Sequence, residues 1–389
     1  MLNDLKVLEL ASVLAGPGVG QFFAEVGAEV IKVENIHTGG DVTRTWRVAN
    51  ENTDDRSAYF CAVNWGKKSI AVDLRQLAGQ DIVGKLATNC DIVISSYKSG
   101  DAEKLGVDFQ TLSSLNPRLI YGQISGFGPH NSRVGYDAVI QAETGFMFMN
   151  GEPGGSSLKM PVALMDILAA HQLKEAILLA LLERYRTGKG KYVHVSLFDA
   201  AVASLANQAS NWLVAGRIPH KQGSLHPNIS PYGEIFRTAD GVEILLAVGS
   251  DRQFASFAEI VGLGIEVLNS YASNVERVEN RENLSLLLKA KVEKLDSATL
   301  IGSMQAAGIP YGLVRNLKEL FQSPEAKALL IHSEDRTGVK TFVGSAPVGK
   351  GSHFLPPPHF GEHTFEILQK SLEFSPEVAE SLAQQGVVA

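Results

Sequence analysis

Residues 6–34 read KVLELASVLAGPGVGQFFAEVGAEVIKVE, and this stretch decides the fold. Lys6–Leu10 is a short apolar run that reads as a strand, and Ala15–Gly18 turns the chain. Gln21–Val26 places Phe22, Phe23 and Val26 at helical spacing, Gly27 stops the helix, and Glu29–Glu34 is a second strand. Strand, helix, strand is a βαβ unit, which opens an α/β domain around a parallel sheet. The pattern returns downstream. Ser69–Leu74, Asp91–Ser95, Arg118–Ser125 and Tyr192–Leu197 read as further strands. Gln80–Ala87 reads as a helix, and Ile167–Arg186 is the longest one, closed by Thr187-Gly188-Lys189-Gly190.

Beyond this region the character changes. Arg217–Tyr232 is rich in Gly, Pro, His and Ser and reads as a long loop of the kind that carries function. Gly233–Val248 reads as a hairpin turning at Ala239-Asp240-Gly241, and residues 251–308 look helical. The segment 334–360 has short β-like pieces, and the tail Thr364–Gln385 is helical with Pro376 interrupting it. The expected organisation is a large Rossmann-like α/β domain at 1–215, a smaller α+β domain at 225–320, and a C-terminal return to the large domain at 321–389.

The chain has 389 residues, of which 45% are hydrophobic and 20% charged, with a net charge of −7. Mean hydropathy is +0.03. Such a chain can bury a large core and is not a disordered one. The acidic balance argues against a nucleic-acid partner. The two cysteines, Cys61 and Cys90, sit in no metal or disulfide pattern. The apolar stretch from Val162 to Leu182 contains Asp166, His171, Lys174 and Glu175, so it reads as a core helix and not a membrane span. The start MLNDLKVLEL lacks a basic region and a cleavage site, so a cytoplasmic protein without a leader or membrane partner is expected.

Several residues could carry chemistry. Gly16-Pro17-Gly18-Val19-Gly20 invites a dinucleotide reading, but GxGxG is not GxGxxG, and Pro17 removes one N–H from the cradle. It reads as a tight βα turn. Asp166 is the only charge between Met160 and His171. It reads either as a helix N-cap or as a carboxylate nucleophile kept ionised by the helix N-terminus. Tyr136-Asp137 reads either as a helix start with an Asp cap or as a hydrogen-bonding pair near a substrate carbonyl. His226, in the long loop, reads on its own as a surface histidine. Lys67, Lys68, Arg75, Lys98 and Lys104 read as a solvated face or as a patch for a multiply phosphorylated ligand. No HxxxH or HExxH pattern supports a metal, and none is expected.

Taken together, KVLELASVLAGPGVGQFFAEVGAEVIKVE, GDVTRTW (40–46), NWGKKSIAVDL (64–74), NPRLIYGQISGFG (116–128), GYDAVIQAETG (135–145), the block 163–203 and AGIPYGLVRNLKEL (307–320) resemble the class III CoA-transferases. This is the family of formyl-CoA transferase and the L-carnitine dehydratase/bile acid-inducible protein F group. The resemblance implies that Asp166 attacks an acyl-CoA thioester, giving a mixed anhydride and then an aspartyl-CoA thioester. Tyr136 and Asp137 match a Tyr-acid pair beside that nucleophile. Val13, Val72, Leu74 and Arg75 match positions lining the CoA nucleotide. Ser96, Tyr97 and Lys104 match the loop holding adenine and phosphates. Gly223, Ser224, Leu225, His226 and Pro227 match a mobile loop over the acyl group. The resemblance also implies an interlocked homodimer, no tightly bound cofactor, and acyl-CoA and a carboxylic acid as substrates.

Departures from the family pattern touch the acyl pocket. Leu14 stands where formyl-CoA transferase has glutamine, a single Gly223 stands where it has a run of glycines, and Lys104 replaces an arginine fork by a point charge. A 2-methylacyl-CoA racemase on the same fold is an alternative. Tyr136 disfavours it, because a phenol is a poor base at neutral pH. The sequence is also compatible with a non-catalytic CoA-binding protein and, from its opening βαβ unit, with a nicotinamide-dependent dehydrogenase.

Overall fold

The computed structural model describes residues 2–98, 100–344 and 354–389. β1 (Lys6–Leu10) buries Val7, Leu8 and Leu10 on both of its faces. A sheet covered on both faces demands such continuous apolar runs. Around it lie β2 (Glu29–Asn35), β3 (Lys67–Val72), β4 (Ile92–Ser95), β5 (Ile120–Ser125) and β6 (Lys191–Ser196), in the order β3-β2-β1-β4-β5-β6, all parallel. In this doubly wound order the winding reverses between β1 and β4, and a crevice opens beyond their carboxyl ends. Register places Leu10 opposite Ser95, and the Ser12 N–H bridges to Ser96 Oγ at 3.2 Å.

One expectation is overturned here. Gly16-Pro17-Gly18 is not a turn, because helix α1 spans Ala15–Glu25 and these residues form its first coils. Pro17 is tolerated there because the N–H groups of a first helical turn have no intrahelical partner. The glycines serve close packing. A Cβ on Gly16 would stand 2.4 Å from the Ala11 Cβ, and one on Gly20 would stand 1.9 Å from Glu9 Oε2. The chain turns earlier, at Val13, which takes the left-handed φ of +73°.

Helix α2 (Asp137–Glu143) precedes the longest helix, α3 (Leu164–Thr187), which begins three residues before the expected start and ends on Gly188 at φ +73°. Leu173, Ile177 and Ala180 form its buried row, and a Cβ on Gly122 of β5 would meet Ile177 at 2.8 Å. Leu178, Leu179, Leu182 and Tyr185 are exposed, Tyr185 almost fully at 95%. At the C-terminus, Pro376 opens the helix Pro376–Gln384 and does not interrupt one. Val388 bridges to Val72, and the Asp73 N–H donates to the Val387 carbonyl at 2.8 Å.

The chain divides into two compact units, Met1–Thr144 with Met160–Ala206 and Lys327–Ala389, and Gly145–Lys159 with Asn207–Ala326. The second holds an antiparallel sheet of β7 (Tyr232–Arg237), β8 (Glu243–Ala247) and β9 (Tyr311–Leu313) in that order, over Phe236, Leu246, Phe254, Phe257 and Leu288. β7 and β8 form the expected hairpin, with Gly241 at φ +84°. Among the described residues no helix is long and apolar enough to cross a membrane.

The packing of α1 sets a test. Gly16→Ala is expected to destabilise the protein by about 2 kcal/mol, because the Ala11 methyl it meets has no rotamer to escape into. Gly18→Ala meets nothing closer than 3.8 Å and is expected to stay within about 1 kcal/mol of the parent. Urea unfolding midpoints of the two variants check the contrast.

Candidate functional site

The crevice at the switch between β1 and β4 is a cavity of about 360 Å³ lined by Leu10, Ala11, Ser12, Lys32, Asn35 and Asp41, by Val72, Asp73, Leu74 and Arg75, and by Ser96, Tyr97 and Leu105. Of the residues expected at a nucleotide, Val72, Leu74, Arg75, Ser96 and Tyr97 lie on its wall. Val13 shapes the turn above it through its N–H bond to Asp41 Oδ1 at 3.3 Å. Lys104 is not on the wall. Its side chain is 76% exposed and pairs with Asp101 at 3.3 Å, while its neighbour Leu105 reaches the cavity. Burial pushes the Tyr97 phenol up to about 12.

Asp73 organises the mouth. Its carboxylate accepts from Arg75 Nε at 3.0 Å and pairs with His37 Nε2 at 2.8 Å. The Arg75 hydrogen bond holds it well below the usual carboxylate range, despite burial. Arg75 and His37 are thereby gathered at one point. His37 carried no sequence signal, because it stands in no spacing with Arg75.

The expected basic cluster comes apart. Lys67 is fully buried and is neither a solvated residue nor a phosphate ligand. Lys68 pairs with Glu29 at 3.1 Å, and Lys98 and Lys104 are exposed.

Asp166 sits in the first turn of α3, 9% exposed. It is not the N-cap. Ala163 holds that place and has no side chain to cap with. Asp137, the first residue of α2, performs the task from outside, its Oδ1 accepting the Met165 N–H at 2.9 Å. Gln141, 1% exposed, fixes Asp137 by donating to Oδ2 at 2.8 Å, and accepts the Met160 N–H at 2.8 Å. Tyr136 stands at the N-cap of α2, 55% exposed. Sequence reasoning thus found the Asp137–Asp166 pair but not that one caps the helix of the other.

The expectation that the helix N-terminus keeps Asp166 ionised is also overturned. Its carboxyl is pushed from 3.8 to about 7, first by burial and then by the charge of Asp137, against hydrogen bonds from the Ala15 N–H and its own N–H. That shift corresponds to roughly 4 kcal/mol, against about 1 kcal/mol from a helix dipole, so desolvation wins. A residue that sequence reasoning missed is Tyr59. It is half-buried, packs edge-on against Trp46 at 5.2 Å, and its phenol is raised by burial and then by Asp166, Asp137 and Asp41. It therefore remains an O–H donor within the electrostatic reach of the carboxylates. Tyr59 lies between the recognisable motifs, and no pattern marked it.

The loop expected over a substrate belongs to the second unit. Gly223 takes φ +60°, donates to the Gly151 carbonyl at 2.9 Å, and leaves room for Glu152, whose carboxylate a Cβ would meet at 2.8 Å. Ser224 Oγ donates to the Gly233 carbonyl at 2.6 Å, and the His226 N–H to the Tyr232 carbonyl at 2.8 Å. His226 Nδ1 accepts the Asn228 N–H at 3.1 Å. Burial and Arg281 lower its imidazole pKa, so it is neutral at pH 7. Arg281, also missed from sequence, donates to the carbonyls of His226 and Ile229 at 2.6 and 2.8 Å.

Asp54, Asp55 and His359 approach closely enough to share a cation. Arg56 and Arg336 already pair with Asp54, and Arg44 with Asp55, so the cluster is a salt-bridge network.

Residues 2–364 match the sequence pattern of CoA-transferase family III. Among similar proteins, the succinate–glutarate CoA-transferase of Agrobacterium fabrum is 38% identical over 94% of both chains. The human succinyl-CoA:glutarate CoA-transferase is 34% identical over all of this chain and 90% of its own. The crystal structure of a CaiB/BaiF family protein from Brucella suis superposes with a TM-score of 0.79 at 37% identity, over 93% of this chain and 97% of that one.

The raised Asp166 pKa has a consequence for stability. Unfolding returns the carboxyl to its ordinary value near 3.8, so between about pH 4 and pH 7 the folded state holds the proton more tightly. The group therefore costs stability as pH rises through that window. Asp166→Asn is expected to stabilise the fold at pH 7.5 by on the order of a few kcal/mol, with the gain vanishing toward pH 4. Urea unfolding across pH checks both sign and window.

Proposed function

The chain belongs to CoA-transferase family III and is a CoA-transferase, and from that premise we propose that Asp166 is the group through which it moves CoA from an acyl-CoA to a carboxylic acid. The observation that carries this reading is a buried carboxylate, raised to about 7, facing the Ala15 N–H at the start of α1. A carboxylate stripped of water and set beside a second negative charge is destabilised as an anion, which is what a nucleophile needs.

An Asp166 oxygen attacks the thioester carbonyl, the C–S bond breaks, and an acyl-aspartyl anhydride and CoA thiolate result. The thiolate attacks the Asp166 carbonyl, releasing the donor acid as carboxylate and leaving an aspartyl-CoA thioester. The acceptor carboxylate attacks that thioester and frees the thiolate again. The thiolate then takes the acceptor acyl group and regenerates the Asp166 carboxylate. The Ala15 N–H, which faces Asp166, supports the assignment of a donor for the oxygen that gains charge. Asp137 holds the first turn of α3. Tyr136 stands at the start of α2 as its companion.

In this reading the crevice takes the CoA nucleotide, with Val72, Leu74, Ser96 and Tyr97 on its wall, Val13 shaping its rim and Arg75 with His37 at its mouth. Lys104 contributes charge from farther out. For the loop Gly223-Ser224-Leu225-His226-Pro227 we keep the role that the family resemblance implies, that of a cover over an acyl group. The names of the relatives support C4 and C5 dicarboxylic acids as donor and acceptor. CoA enters as substrate, with no tightly bound cofactor. We read 1–215 as the CoA-binding domain, 225–320 as a smaller domain and 321–389 as a return to the first. We also propose that two copies interlock. The apolar row Leu178, Leu179, Leu182 and Tyr185 on α3 supports a second copy as the cover, since isolated soluble chains rarely expose such a row. The racemase reading is not favoured, since Tyr136 is a poor base.

Incubation with succinyl-CoA, then hydroxylamine, is expected to leave a hydroxamate on Asp166, read by intact-mass and peptide spectrometry. Asp166→Asn is expected to lose both the label and the exchange of CoA between succinyl-CoA and glutarate, by at least about a thousandfold. Full exchange in that variant would remove Asp166 from the reaction.

A further inference from the structure

Beneath the turn that joins β1 to α1 lie two lysines with no access to water. Lys32 is 1% exposed and Lys67 is 0% exposed. They share Glu9, at 2.9 and 2.7 Å, and Lys32 also pairs with Asp41 at 2.9 Å. Two cations face two carboxylates, so the group is balanced. Balance alone does not explain it, because a buried ion pair is on average no more stabilising than apolar residues of the same volume.

What distinguishes this group is where its remaining bonds go. Lys32 Nζ donates to the Ala11 carbonyl at 2.7 Å, and Asp41 accepts the Val13 N–H. Lys67 Nζ donates to the Pro17 carbonyl at 2.8 Å and to Asn64 Oδ1 at 2.9 Å. The backbone is therefore gripped before and after Ala15, whose N–H faces Asp166, at a helix start that packs on α3, where a Gly18 Cβ would stand 3.8 Å from Ala170. Between the grips, Val13 is held at a φ that a β-branched residue avoids. The Pro17 grip is the one that acts within α1 itself.

We infer that Lys67 is a positioning residue for CoA transfer, fixing from below the helix start that sets the Ala15 N–H against Asp166. The inference rests on Asp166 as the nucleophile. Lys67 touches no substrate. It acts through the Pro17 carbonyl and through Glu9. Displacing such a donor by a fraction of an ångström weakens an interaction made in the transition state while leaving the CoA crevice in place.

The test is the double variant Glu9→Gln/Lys67→Met. It removes one charge of each sign and leaves Lys32 its Asp41 partner, so the interior stays balanced. The expected result is a fall in kcat of about tenfold to a hundredfold, with KM for succinyl-CoA within about twofold of the parent. A role in stability alone would move the melting temperature and not this ratio. Should the double variant fail to fold, Asn64→Ala keeps Lys67 but removes one of the three partners that aim its head group, and a smaller fall in kcat at unchanged KM is expected. Parent kcat in a folded double variant, or in Asn64→Ala if only that one folds, overturns the inference. The hydroxylamine label on the unmodified protein separates the two assignments. Without it the Asp166 assignment fails, and with it an unchanged kcat defeats only the role of Lys67.

Discussion

Lys32 is held between Glu9 and Asp41 with almost no contact with water, and most of the site's geometry can be traced from that contact. Burial alone would strip the ammonium of its proton, but Asp41 and Glu9 push its pKa up instead. Because each acid is committed to a lysine, neither can relax, and the strands that carry them inherit that rigidity. Glu9 lies on β1, Lys32 on β2 and Lys67 on β3, so the group ties three adjacent strands beneath one turn. Gly20 is glycine because Glu9 occupies the place its Cβ would need. The glycine pattern that resembles a phosphate cradle thus makes room for an ion pair.

The same economy of space governs the carboxylates. An unpaired acid in the first turn of α3 would be expected to gain from the helix N-terminus. Here the free N–H of Met165 is taken by Asp137, so Asp166 is left with burial and a like charge as its main surroundings. Capping the helix and raising the Asp166 pKa are one arrangement. The residue that satisfies the helix end is the residue that raises the energy of the anion beside it. Gln141, fully bonded between Asp137 and the Met160 backbone, keeps that second charge from swinging away.

In the second unit the loop expected over a substrate is itself held in place. His226 and Ser224 spend main-chain and hydroxyl bonds on Tyr232 and Gly233, and Arg281 gathers the His226 and Ile229 carbonyls. A guanidinium suits this work because its planar fork reaches several acceptors at once. Part of the Gly223-to-Pro227 segment is therefore a tied structure and not a free tether.

How much of this was legible beforehand follows from the range of each interaction. The parallel sheet was legible, since apolar runs such as VLEL and EVIKVE, separated by a helix-length segment, leave few alternatives. The family resemblance also singled out Val72, Leu74, Arg75, Ser96 and Tyr97, which meet on one cavity wall. What sequence could not reach is contact between residues far apart in the chain. Asp137 capping α3 across 28 positions, Lys67 reaching Pro17 across 50, and Tyr59 raised by burial and then by the charge of Asp166 have no local signature. The sign of the Asp166 shift belongs to the same class. A helix dipole can be read from a sequence, but desolvation depends on everything that folds over the group, and only tertiary structure decides which is larger.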